Sequence, residues 1–105
     1  MGRKRRLAEV SGHELSNTLL GTAVLMTLDL HGLTTVVAER KVRDFVLTCS
    51  RSASGQVVRI ITGKGLGSEQ GPVLIPLVQK LLETSLASYV AQWTMEAGGY
   101  LVRIK

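Results

Sequence analysis

Two short apolar runs, "VLMTLDL" (24–30) and "QVVRII" (56–61), flank a stretch in which Ala38, Val42, Phe45, Val46 and Cys49 recur at i, i+4, i+7, i+8 and i+11. That spacing puts five apolar side chains on one stripe of a helix, whereas each flanking run has strand length. A strand, a helix and a second strand in succession form a right-handed crossover with its two strands parallel, which leaves few topologies open. Local signals agree. Thr34 stands where an N-cap belongs, Glu39 with Arg43 and Arg40 with Asp44 sit at i, i+4 on the outer face, and "SASG" closes the helix.

Downstream, Leu74, Val78, Leu81 and Leu82 form a second helical stripe, with Pro72 and Pro76 near its start. Proline is tolerated in a first helical turn, so this helix is expected to begin between the two prolines or just before them. Two further apolar runs, "YVAQWTM" and "YLVRIK", are joined through Ala97-Gly98-Gly99, a hairpin signal. The order is β-α-β-α-β-β, which predicts an α/β fold: a small open sheet in a two-layer α/β sandwich. A length of 105 residues, 45% of them hydrophobic, suits one domain with one core. A chain of this size buries roughly two-thirds of its unfolded surface, so stability requires neither metal nor disulfide.

The net charge of +5 is unevenly spread, with Arg3, Lys4, Arg5 and Arg6 inside the first six residues. Residues 1–22, polar and aperiodic, are expected to form a basic flexible arm, and residues 23–105 the folded domain. Such a block of cations partners phosphate backbones or anionic surfaces, and a solubilising tail is the alternative. No amphipathic helix with large apolar anchors accompanies it, which argues against a membrane partner. No apolar run approaches the ~20 residues of a membrane span, and no signal peptide follows the basic start. With Cys49 the single cysteine, a reducing compartment and a cytoplasmic location are expected.

Packing does not account for Asp29 and His31, which close the first apolar run just before Gly32 in a chain with only two histidines. If the two strands of the crossover are neighbours, "HG" and "TGKG" share the carboxyl edge of the sheet, where open α/β sheets bind ligands. A period of two places Asp29 and His31 on one face, so the acid can lie beside the imidazole. An Asp that caps a turn, and a His that merely occupies one, fit the same residues. "TGKGLGSEQGP" holds four glycines in eleven residues. Such a loop either admits left-handed backbone or cradles an anion with N–H groups and the Lys64 charge. Its spacing is not that of a Walker loop.

Taken together, "LDLHGLT", "VRIITGKGLGSEQGPVL" and the closing "GGYLVRI" resemble the Smr (small MutS-related) domain family over about residues 26–104. That family carries a Leu-Asp-Leu-His box at the end of its first main strand and a His/Thr-Gly-x-Gly box at the end of its second. Asp29 and His31 match the first box, with Gly32 following, and Thr62, Gly63, Lys64 and Gly65 match the second. Thr62 stands where many members have His. Gly67 replaces a His that often precedes the serine matched by Ser68.

The resemblance implies an endonuclease that nicks DNA or cleaves RNA, some members acting on messenger RNA at stalled ribosomes. His31 would then move a proton at the attacking or leaving oxygen, with Asp29 fixing its tautomer. The 63–65 backbone and Lys64 would stabilise charge on phosphorus, and Gly32, Thr62, Ser68 and the Arg3–Arg6 block would hold the nucleic acid. No cofactor is required on RNA, whose 2′-hydroxyl can be the nucleophile. One carboxylate leaves a two-metal site short of ligands, although a single Mg²⁺ or Mn²⁺ held partly by substrate phosphates is compatible. The alternative is a module on the same fold that binds nucleic acid or a ribosomal surface without cutting.

Overall fold

The computed structural model describes Leu19, residues 21–63 and residues 71–105. Six main elements run in the expected order: β1 (Val24–Asp29), α1 (Thr35–Ser52), β2 (Val57–Ile61), α2 (Gly71–Glu83), β3 (Val90–Glu96) and β4 (Gly99–Ile104). A short 3-10 turn, Ala87–Tyr89, leads into β3. The four strands form one mixed sheet in the order β1-β2-β4-β3. As the crossover rule implies, β1 and β2 are parallel, and they are also neighbours, with Asp29 opposite Ile61. Strand β4 runs antiparallel to both β2 and β3, so the last strand of the chain lies inside the sheet.

Both helices cover one face. Ala38, Val42, Val46 and Cys49 of α1 join Leu74, Val78, Leu81 and Leu82 of α2 over Val58, Ile60, Tyr100, Val102 and Ile104. Thr34 caps α1 by accepting from the Val37 amide, and Gly55 (φ +81°) turns the chain back toward β2. Of the two ion pairs expected on α1, Glu39–Arg43 forms at 2.8 Å, whereas Arg40 and Asp44 do not close. Helix α2 starts just before Pro72, as expected, but Pro76 falls in its second turn. Proline there removes one helical hydrogen bond. Burial of Leu74, Val78 and Leu82 on either side of it keeps the helix continuous, and the Tyr100 hydroxyl donates to the Ile75 carbonyl at 3.0 Å.

The other face of the sheet has a smaller apolar cluster of Val57, Leu101 and Leu19, with Val24 packed against it. Leu19 belongs to the arm by sequence, yet its side chain is fully buried. The packed body therefore begins upstream of β1. A polar, aperiodic segment hides such an anchor because a single apolar residue has no period. Among the described residues, no helix is long and apolar enough to cross a membrane.

Candidate active site

Strand β1 ends because the chain turns sharply. The Leu33 amide donates to the Leu30 carbonyl at 3.1 Å, and Gly32 occupies the left-handed region (φ +79°) that this turn demands. Leu30 is fully buried and its amide donates to the Ile61 carbonyl at 2.7 Å, so the turn is rooted in the core and in β2. His31 sits at the tip. Its backbone amide donates to Asp29 Oδ1 at 3.0 Å, and its ring Nδ1 lies 2.6 Å from the same oxygen. The His31 and Asp29 side chains are 71% and 49% exposed, so the pair faces solvent.

The hydrogen bond from the His31 ring, followed by that from the His31 amide, holds the Asp29 carboxyl below its ordinary value. Asp29 is thus a carboxylate at neutral pH and can only accept, so the proton between the two side chains resides on Nδ1. In the neutral ring this leaves the lone pair on Nε2, directed away from Asp29. A carboxylate with a depressed pKa contributes stability above the ordinary Asp value, and that contribution is lost as pH falls through the lowered one. Carbon-detected NMR titration should therefore give Asp29 a midpoint below about 3.9. In His31→Ala the midpoint should move up, and an equal midpoint in both proteins would contradict the pairing.

The second loop lies beside the first. A Cβ added at Gly63 (φ +87°) would lie 3.4 Å from the His31 Cβ, which places the start of the loop after β2 beside His31. The structure changes two expectations about this loop. Thr62 is only 1% exposed, and its hydroxyl donates to backbone, 3.0 Å from the Gly63 carbonyl and 3.3 Å from that of Gly98. It fastens the loop and does not present itself to a phosphate. The Gly63 amide is also occupied: it and the Thr62 amide donate to the Gly98 carbonyl at 3.1 and 2.9 Å. Among the described residues the Gly32 amide donates to none, and Gly32 is exposed next to His31.

Lys64, Gly65, Ser68 and the Arg3, Lys4, Arg5, Arg6 block lie outside the described residues, as does the Gly67 departure. One feature of the site has no local signal in the sequence: the latch supplied by the β3–β4 hairpin. "GG" announces the turn, but nothing near it in the chain shows that the Gly98 carbonyl reaches the end of β2. Gly99 is equally constrained, since a Cβ there would lie 2.1 Å from the Ile60 carbonyl oxygen.

A family model for the Smr domain matches residues 28–99 of the 105. The chain belongs to the Smr domain family. The match begins inside β1 ahead of Asp29 and ends at Gly99, so it spans both loops, β3 and the Gly98 turn that fastens the second loop. Smr is a nucleic-acid-associated domain family that includes nuclease-type members. A search of curated proteins finds no match to the chain.

Proposed function

We propose that this Smr domain cleaves phosphodiester bonds in nucleic acid, with His31 as the proton-transfer group and Asp29 as the residue that sets its tautomer. One observation carries the proposal: an exposed imidazole whose Nδ1 is held 2.6 Å from a carboxylate, on a turn rooted in the core. A residue that only filled the turn would not need its ring fixed. Proton transfer by a positioned side chain typically contributes a factor of 10² to 10⁴.

On RNA, His31 Nε2 accepts the 2′-hydroxyl proton as that oxygen attacks phosphorus, and the bond to the 5′-oxygen breaks. The resulting imidazolium, stabilised by Asp29, protonates the departing oxygen, which leaves a 2′,3′-cyclic phosphate and a 5′-hydroxyl. In this reading the Gly32 amide donates to a non-bridging phosphate oxygen, and Lys64, next in sequence to Gly63, supplies charge. The basic Arg3–Arg6 block adds affinity for the phosphate backbone, and ribosome-bound RNA in the cytoplasm is one substrate consistent with it.

The purified chain incubated with end-labelled single-stranded RNA should cut in EDTA and leave those ends. Products bearing a 5′-phosphate, lost on chelation, would show instead that water and a Mg²⁺ or Mn²⁺ ion do the work. Binding without cutting, on RNA and on a nicking reporter plasmid, would make the domain a binding module.

A further inference from the structure

The strand register sorts the residues of the sheet face opposite the helices into rows. Asp29, Ile61, Gly99 and Glu96 lie opposite one another at the end of the sheet that carries the active-site turn. Thr27, Arg59, Leu101 and Thr94 form the next row in. Leu19 covers this face over Val57 and Leu101, with Val24 packed against them, and so reaches the row of Arg59 but not the row of Asp29. The rows nearest the site carry the one arginine in the strand "VVRII", which is otherwise apolar.

The Arg59 and Glu96 side chains meet across the intervening β4, where Arg59 Nε donates to Glu96 Oε2 at 2.6 Å. No side chain stands in the way at Gly99, where a Cβ would clash with the Ile60 carbonyl. The pair is partly exposed, Arg59 at 38% and Glu96 at 22%. Among the described residues, Arg59 Nη1 and Nη2 have no acceptor. A guanidinium pinned through Nε keeps both terminal nitrogens as a rigid fork, the geometry that matches two phosphate oxygens. A partly exposed ion pair kept only as a staple between strands contributes little.

We infer that Arg59 is a second phosphate contact for the nucleic acid cleaved at His31, with Glu96 as the positioning residue that aims its guanidinium. The inference rests on the nucleic-acid reading above. The Arg59 guanidinium lies over β4, two strands from Asp29, about 10 Å away at ~4.8 Å per strand. That separation suits a nearby phosphate of the same strand, since successive phosphates lie farther apart than the ~3.4 Å axial rise of a duplex. In this assignment the backbone of the substrate runs from the His31 turn along the row of Asp29, Ile61 and Gly99, beyond the buried Leu101.

The test is equilibrium binding of a fluorescent 2′-O-methylated RNA oligonucleotide, which lacks the proposed nucleophile, to the full chain in EDTA over a range of salt. Thermal melts establish that each variant is folded. Arg59→Gln should weaken binding about tenfold, the loss of one charge-assisted contact, and lower the salt slope by about 0.7. Arg59→Lys should keep the slope and lose part of the affinity, because the charge stays while the fork is gone. Glu96→Gln retains an acceptor for Nε and removes a negative charge near the phosphate, so it should bind more tightly at low salt. A staple would instead leave Kd and slope the same in every folded variant and change only Tm, which would overturn the assignment. If Arg59→Gln does not fold, an Arg59→Lys protein with wild-type affinity would overturn it equally. Failure of the wild-type chain to bind RNA or DNA would overturn the nucleic-acid reading itself, whereas wild-type binding with unaffected Arg59 variants overturns this inference alone.

Discussion

Replacing His31 with alanine should lower single-turnover cleavage by roughly 10² to 10⁴ while leaving affinity for the same oligonucleotide nearly unchanged. The separation follows from geometry. The imidazole is exposed and its Nδ1 is committed to Asp29, and in the proposed mechanism its Nε2 acts only while a proton moves. Asp29→Asn should resemble His31→Ala in rate, because the amide can donate to Nδ1 and stabilise the tautomer with its proton on the wrong nitrogen. Circular dichroism should show both variants folded, since neither side chain belongs to the core. The Leu30–Leu33 turn is held by backbone and by Gly32. Full activity in folded His31→Ala would remove the catalytic assignment and leave the domain as a binder.

A comparable effect on stability is expected from Gly99→Ala. The new Cβ would lie 2.1 Å from the Ile60 carbonyl oxygen and 3.0 Å from the Ile61 Cα, both backbone atoms of β2. Backbone cannot swing aside as a flexible side chain does, so β4 must move away from β2. That separation strains the Ile61–Gly99 pairing and the two amides that donate to the Gly98 carbonyl. The cost should reach about 3 kcal/mol or more in urea unfolding, the upper range for overpacking. A fall in Tm of more than about 10 °C should accompany it. Gly55→Ala is the matched control. Gly55 adopts φ +81° with open space around its Cβ position, so only the left-handed penalty of about 1–2 kcal/mol applies. Equal costs at the two positions would show that close strand approach is not what Gly99 provides.

Much of the site was legible because it is local. Asp29 and His31 are two residues apart at a strand end, and a strand period followed by a tight turn lets both contact one another whatever lies around them. Gly32 was readable for the same reason, since a sharp turn after a strand calls for a residue that tolerates positive φ. The roles of Thr62 and Gly63 were not. Their residue types suit a phosphate loop, and only the position of the β3–β4 hairpin turns the Thr62 hydroxyl and both amides toward protein acceptors. Leu19 went unread because one buried leucine in a polar segment leaves no periodic trace.

The sequence alone determined the order of elements, the apolar stripe of each helix, the parallel direction of β1 and β2 and the strand face that Asp29 and His31 share. Each of these follows from periodicity, turn chemistry or crossover handedness, which act between residues close in the chain or through one connecting helix. Only the tertiary structure decided that β4 enters between β2 and β3. That placement carries the Gly98 carbonyl to the second loop, brings the Gly99 backbone against Ile60, and lets Arg59 reach Glu96 on the face that Asp29 shares. An alternating strand reveals which of its faces is buried. Its neighbour depends on backbone hydrogen bonding between segments distant in sequence, and those N–H and C=O groups are the same in every strand.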